Sequence, residues 1–238
     1  SGPMHPSPAP VSTDRPTPLY EDDHLLAFDK PSGLLCVPGR GPDKQDCLSS
    51  RVQAHWPEAL IVHRLDMATS GIVLMARHIE MQRAMSAAFG DRQVHKIYEA
   101  IVGGHPDTED GAWNEIDAPI QADWERRPIQ IVSAGGKQSI TQWKLLERLS
   151  VAKFTSPCDL TPGKELSCAR LSLRPITGRT HQLRVHLLHH GFPILGDSLY
   201  APEDIQNAAP RLLLHACLLQ FSHPVSGVEV RIECPVPF

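Results

Sequence analysis

The sequence has no uninterrupted apolar run of the eighteen or so residues that a membrane span requires. Its first residues have neither the basic start nor the apolar core of a secretory signal, so a cytoplasmic protein is expected. Cysteine is scarce, with six residues at 36, 47, 158, 168, 217 and 234 and no C-x-x-C pair. That excludes a disulfide scaffold and a dithiol for zinc or redox work, and leaves buried or free thiols. Positive charge is not in excess either: 23 basic against 27 acidic residues give a formal net charge of −4. A polycation that grips nucleic acid by bulk charge is excluded, whereas a local basic groove is not. There is no internal repeat, no G-x-S-x-G nucleophile elbow and no H-E-x-x-H zinc motif.

What is present fits a soluble globular enzyme. The 238 residues are 41% apolar and 21% charged, enough to bury a sizeable core in one large catalytic unit. Proline is the outlier, at 22 residues, six of them within Ser1 to Pro18. That tail lacks any apolar periodicity, so it is expected to be disordered, leaving 19–238 as one catalytic domain.

Beyond the tail, Leu25–Phe28 and Leu34–Val37 are apolar runs separated by Lys30-Pro31-Ser32-Gly33, which predicts strand, turn, strand. A helix is expected near Cys47–Trp56 and a buried strand over Gly71–Ala76. Ile79, Met81, Met85 and Phe89 recur at helical spacing. Strand-like segments follow near 96–102, 138–147, 168–176, 211–221 and 228–233. With few helices and no regular βαβ alternation, the pattern predicts an α+β fold with a mixed, largely antiparallel central sheet and flanking helices. The polar stretch Ser150–Glu165 is expected to be a long surface loop inside a hairpin.

Two polar clusters could carry chemistry. His63-Arg64-Leu65-Asp66-Met67-Ala68-Thr69-Ser70-Gly71 stands directly before the buried strand, the kind of loop on which catalytic groups are placed. Taken alone, Asp66 equally fits a turn cap or an ion pair with Arg64. In the second, Thr177–His186, Gly178 can break a strand and Thr180 can cap a helix whose apolar face is Leu183, Leu187 and Leu188. Exposed first-turn N–H groups beside Arg179 would suit a phosphate, and an ordinary capped helix with a solvated Arg/His face fits equally.

Charge is unevenly distributed. Leu166–Gly196 holds Arg170, Arg174, Arg179 and Arg184 with no acid, and Arg126–Leu146 holds Arg126, Arg127, Lys137 and Lys144 with none. Such segregation is expected where a groove meets a phosphate backbone. His186 and His190 are spaced i,i+4, but without a third ligand they are expected on a solvated helix surface and no metal is predicted.

These residues resemble the RluA-type family of pseudouridine synthases. His63-Arg64-Leu65-Asp66 with Thr69-Ser70-Gly71 resembles the family's catalytic loop, Lys96-Ile97-Tyr98-Glu99-Ala100 its tyrosine strand, Thr177–His186 its arginine motif, and Arg211–Ala216 its apolar active-site strand. Four motifs in order over about Tyr20 to Phe238 carry the likeness. A finer resemblance, to the dual-specificity branch that modifies a tRNA anticodon stem-loop and a large-subunit rRNA stem-loop, rests on Lys30–Leu34, Val37–Arg40, Asp123-Trp124, Arg127-Pro128 and Pro193–Asp197. That branch lacks the S4 RNA-binding domain of many relatives, and eighteen proline-rich residues cannot supply one. The stretch 150–165 is longer than this branch leads one to expect.

The resemblance implies isomerisation of uridine to pseudouridine: the C1′–N1 bond breaks, the uracil turns while bound, and C5 joins C1′. No second substrate takes part, so no cofactor is expected. Asp66 is implied as catalytic nucleophile, a role that attack at C1′, attack at C6 and a glycal path all satisfy. Arg184 is expected to pair with Asp66 and keep it ionised, Tyr98 to stack on the target base and move a proton, and Leu214 to line the pocket floor. Arg64 would fill the gap that a flipped base leaves, or else pair with a carboxylate. Thr69, Arg179 and His181 are implied as RNA or base contacts. The implied partners are structured RNAs bound by a monomer, with no membrane. Two other classes fit parts of the pattern: a non-catalytic RNA-binding or chaperone protein on the same fold, and a nucleoside or glycoside hydrolase using Asp66, which would need a second carboxylate that neither acid-free stretch supplies.

Overall fold

A computed structural model describes residues 14–152 and 165–238. Most of the tail expected to be disordered, and residues 153–164 of the expected loop, lie outside the described residues. Two compact units emerge: the chain up to His95 with Leu218–Pro235, and Lys96–Cys217 with Val236–Phe238.

The first unit begins with β1 (Tyr20–Glu21) and β2 (Leu25–Lys30), antiparallel with Tyr20 opposite Ala27. β2 in turn pairs antiparallel with β4 (Ser70–Ala76), from Leu25 opposite Ala76 to Lys30 opposite Gly71. All seven residues of β4 are buried, which suits a strand covered on both faces. The short β3 (Leu60–Ile61) pairs with the end of β4. α1 (Leu48–Gln53) and α2 (Ile79–Gly90) are the helices of this unit. α2 starts at His78, whose Nδ1 accepts the Met81 N–H at 3.3 Å, and it buries Met81 and Met85, one turn apart. They join Leu25, Ile72, Leu74, Leu219, Phe221 and Ile232 in one core.

One expected strand is absent. Leu34–Val37 forms no ladder, because the Leu35 and Cys36 carbonyls accept the N–H groups of Leu48 and Ser49 at the start of α1. A helix terminus has unpaired N–H groups to satisfy, and here the apolar run supplies the acceptors. Arg15, inside the proline-rich stretch, lies with its guanidinium 4.7 Å from the Trp56 ring centroid.

In the second unit, β5 (His95–Gly103), β10 (Glu165–Pro175), β9 (Ile140–Ala152) and β6 (Trp113–Asp117) are successive antiparallel neighbours. Glu165, Leu166 and Ser167 pair with Ala152, Val151 and Ser150, so the hairpin strands occupy both ends of the expected loop. A separate hairpin, β7 (Ile120–Ala122) with β8 (Gln130–Val132), packs through Ile120 against Val185 and Tyr200. α3 (Gln182–His189) and α4 (Glu203–Gln206) follow. β11 (Leu214–Ser222), whose residues from Leu218 on belong to the first unit, pairs there antiparallel with β12 (Glu229–Glu233), from Leu218 opposite Glu233. The α+β class and the largely antiparallel pairing are as expected.

A polar cluster tethers the edge of the first unit. Asp22 accepts hydrogen bonds from the Tyr20 hydroxyl at 2.6 Å, the backbone N–H groups of His24 and Leu25, and His223 Nε2 at 2.9 Å. Burial alone pushes this carboxyl up, but these bonds outweigh it and hold it below 3.8. Tyr20, first by burial and then by its bond to Asp22, is pushed up to about 12. With the folded pKa of Asp22 depressed, the unfolded chain takes up the proton first, so its stabilisation is present above the unfolded pKa and lost as pH falls. Urea unfolding of Asp22→Asn should therefore show a lower midpoint at pH 7 and a shallower loss of stability below about pH 4 than the parent; parallel acid limbs would contradict it.

Candidate functional site

Loop 63–69 of the first unit connects β3 to β4 and is held from beneath by a buried amine. Lys30, fully buried at the end of β2, donates from Nζ to the carbonyls of Leu34 at 2.7 Å, Pro31 at 2.9 Å and Met67 at 3.0 Å. A buried ammonium must find its acceptors inside the protein, and these three tie the loop to the turn at Pro31–Leu34. Gly33, at φ 92°, donates its N–H to the same Met67 carbonyl, and the Ser32 hydroxyl donates to Ala68 O. The left-handed backbone at Gly33 is open to glycine at little cost. Cys36 is bonded to Leu65 through its thiol, which burial pushes up in pKa and keeps protonated. On the opposite side, His63 Nε2 accepts the Leu74 N–H at 2.8 Å, and its ring stacks on Phe89 with centroids 4.3 Å apart.

This frame sets the three site residues expected on the loop. Asp66 is half-buried, and its carbonyl accepts the N–H of the buried Thr69 at 3.1 Å, closing a turn. Arg64 is exposed and makes no ion pair or hydrogen bond among the described residues, so the simple ion-pair role does not hold there.

The remaining expected site residues lie in the second unit. β10 ends at Pro175, and the chain turns through Thr177–His181 into α3. Thr180 does not cap this helix. The N-cap position belongs to His181, in left-handed backbone at φ 53°, with Nδ1 bonded to the Tyr200 hydroxyl at 2.7 Å. No side chain caps α3; Gln182 instead ties down the turn before it, its Oε1 accepting the Thr177 hydroxyl and the Arg179 N–H while its Nε2 donates to Ile140 O and Thr141 Oγ1. Residues Gln182–Leu187 are all buried, and Gln182 N–H is already spent on Arg179 O. That takes one first-turn donor from the expected anion site, and the expected solvated Arg/His face holds for the exposed His189 and His190 but not for the buried Arg184 and His186.

His186 illustrates why. It is fully buried, its Nδ1 lies 2.7 Å from Thr141 Oγ1 and its Nε2 lies 2.8 Å from Ala118 O. A carbonyl only accepts, so Nε2 carries the proton and Nδ1 accepts from the threonine. Both ring nitrogens are occupied, which corrects the expectation of a solvated surface. Burial lowers the His186 pKa below the ordinary 6.5.

Arg184 is buried too. Its Nη2 and Nε contact Asp197 Oδ1 and Oδ2 at 2.6 and 3.1 Å, a forked pair. Asp197 also accepts the N–H groups of Leu199 and Tyr200, and the Tyr200 ring centroid lies 5.3 Å from the guanidinium. A glycine precedes Asp197 because a Cβ on Gly196, at φ 78°, would overlap the Arg211 carbonyl. Arg211 in turn donates to the carbonyl of Leu214, which is buried at the start of β11. Tyr98, half-buried on β5, stands opposite Leu173. Two steps earlier, Lys96 places Nζ beside Gly178 of the turn, and burial lowers its pKa from 10.5.

Thus Arg64, Asp66 and Thr69 share one loop, and Arg179, His181 and Arg184 share one turn and helix. Lys30, Lys96, Asp197 and Tyr200 are the supports that sequence reasoning did not single out. Their signal was faint: Lys30, Lys96 and Asp197 stand at the ends of motif stretches but are of types common on surfaces, and Tyr200 lies three residues beyond Asp197.

The acid-free stretches change meaning in three dimensions. Arg126 pairs with Asp123, Arg170 with Glu99 and Arg184 with Asp197, while Arg179 donates twice to Gln138 O and Arg174 to Gln142. Carboxylates outside the two stretches therefore neutralise three of their eight basic residues, while Arg174 and Arg179 are held by neutral acceptors.

A family model described as RNA pseudouridylate synthase matches residues 24–189. The chain is 42% identical over 221 residues to the dual-specificity RNA pseudouridine synthase RluA of Escherichia coli (strain K12), covering 92% of this chain and 93% of the relative. It is 44% identical, at 92% and 83% coverage, to the protein of the same name in Vibrio parahaemolyticus serotype O3:K6. In fold it is similar to human RNA pseudouridylate synthase domain containing 1, with TM-score 0.75, 24% identity and coverage of 97% and 87%. It is also similar to the human domain containing 4, with TM-score 0.66, 26% identity and coverage of 92% and 88%.

Lys30→Met should strip three carbonyls of their donor and lower the unfolding free energy by about 2–4 kcal/mol, with faster amide exchange at Gly33; unchanged exchange there would sink the tether. For His186 the sign follows from its depressed folded pKa: stability is full above about pH 6.5 and is lost as pH falls, because the unfolded chain binds the proton first. Thermal midpoints of the parent should drop between pH 7 and 5, and those of His186→Gln should drop less.

Proposed function

The chain belongs to the RNA pseudouridylate synthase family and is an RNA pseudouridine synthase, an isomerase, and from that premise we propose that it modifies uridines in two RNAs, a tRNA anticodon stem-loop and a stem-loop of large-subunit ribosomal RNA. The observation that carries this reading is the 42% identity, over 92% of the chain, to a relative named for dual specificity. Both RNAs are met in the cytoplasm, and the enzyme acts there as a monomer and without a cofactor.

Asp66 is the proposed nucleophile. A carboxylate on a loop whose backbone is held by Lys30 and Ser32 keeps its position while the glycosidic bond breaks, and it loses no geometry to loop motion. Attack at C1′ or at C6, or stabilisation of a glycal path, each requires the ionised form. Tyr98 is assigned to stacking on the uracil and to proton movement, Arg184 to the electrostatics that keep the nucleophile ionised, and Leu214 to the apolar lining. Arg64, exposed and unpaired among the described residues, suits insertion into the stack that the flipped nucleotide leaves. Thr69, Arg179 and His181 are assigned to the RNA-binding surface.

RNA carrying tritium at uridine C5 separates this reading from its alternatives, because only substitution at C5 releases tritium to water. Wild type should release tritium from separate tRNA and rRNA stem-loops, whereas release from one alone would refute dual specificity. Asp66→Asn should release less than about a thousandth as much, as expected when a nucleophile is removed, while binding the stem-loop within about threefold. Residual turnover at the parent rate, after deamidation is excluded, would remove Asp66 from the chemistry.

A further inference from the structure

Between β7 and β8 the chain forms a short helical turn, Trp124–Arg126, that leaves Trp124 69% exposed. A tryptophan so exposed is unusual for a side chain that buries well and carries a large apolar surface. Nothing at this tip is loose. Asp123 N–H donates to Ile129 O, Ile129 N–H to Arg126 O and Arg126 N–H to Asp123 O, so the loop is closed on its own backbone. Arg126 neutralises Asp123 at 2.6 Å. Arg127 lays its guanidinium 4.2 Å from the Trp124 ring centroid, and among the described residues it makes no ion pair or hydrogen bond. It is the one arginine of the two acid-free stretches left so.

The hairpin that carries this tip is fastened to the arginine motif. The Tyr200 hydroxyl accepts Gln130 N–H from β8 at 3.0 Å and meets His181 Nδ1, while Arg179 holds the Gln138 carbonyl just beyond the hairpin. The base of the hairpin packs Ile120 and Val132 with Val185 of α3. A rigid aromatic face beside an uncommitted cation, on an element braced against a motif of an RNA enzyme, has the properties of a stacking platform for a single-stranded base.

We propose that Trp124, with Arg127, is a subsite that stacks an unpaired nucleobase of the substrate loop, Arg127 contacting the adjacent phosphate. The proposal rests on the reading of stem-loop RNA as substrate and adds a position at which the loop is recognised. Stacking supplies affinity for any base face, so the subsite selects an unstacked nucleotide rather than a sequence.

The test uses a fluorescein-labelled anticodon-type stem-loop RNA, wild-type protein and three variants in anisotropy titrations over a salt series. Trp124→Ala should weaken binding roughly thirtyfold, the middle of the range found for one base on one aromatic ring, with an unchanged salt slope. Trp124→Phe should recover most of it. Arg127→Ala should lower the slope of log K against log salt by about one, as expected when one phosphate is no longer neutralised. Stem-loops made abasic at each loop position in turn should identify one at which wild type loses affinity and Trp124→Ala loses nothing further. Binding of Trp124→Ala within twofold of wild type, or additive losses at every abasic position, would overturn the subsite. The tritium assay on the same stem-loop keeps the two readings apart. RNA bound by wild type without release would refute the substrate reading and leave stacking measurable; release with unaltered Trp124→Ala affinity would do the reverse.

Discussion

A charged or polar group withdrawn from water must find all its partners inside the protein, and in each unit the residues implied in catalysis depend on a group of that kind. In the first, the Lys30 ammonium gathers three carbonyls around itself. One is in the loop that bears Asp66, so the position of that loop follows from where the amine is buried. In the second, Arg184 and Asp197 face each other as a buried fork, and Asp197 spends its remaining acceptor capacity on the backbone of Leu199 and Tyr200. Removing either partner would strand an uncompensated charge, which is why such pairs specify geometry more than they add stability.

The polar web at the start of α3 extends the same principle to neutral groups. Gln182 uses both ends of its amide, Thr141 bridges Gln182 to His186, and His186 reaches Ala118 O. Every buried donor in that chain has an acceptor, so the turn has one arrangement available instead of several. Among the side chains proposed to meet RNA, Arg64 on the loop of the first unit and Trp124 with Arg127 on the hairpin of the second stand outside that web.

Much of the architecture was legible because it is local. The apolar run Gly71–Ala76 and the spacing of Met81 and Met85 encode a buried strand and an amphipathic helix without reference to the rest of the chain. The motifs that carry the family resemblance were legible for the same reason, as contiguous residues. Leu34–Val37 misled because its carbonyls serve α1, and Thr180 misled because the helix starts one residue later, with His181 in left-handed backbone at the N-cap position. His186 reads as surface because it stands among four histidines over His181–His190, yet it is fully buried.

The sequence by itself determined the α+β class, the family and the loop that carries Asp66, since each rests on residues adjacent in the chain. Only the tertiary structure decided which charges are free. Arg184 finds Asp197 thirteen residues away and Arg170 finds Glu99 across a strand pair, so acid-free stretches of sequence are not acid-free surfaces. Coulomb attraction acts through space, and a residue's neighbours along the chain say little about which opposite charge the fold brings within reach.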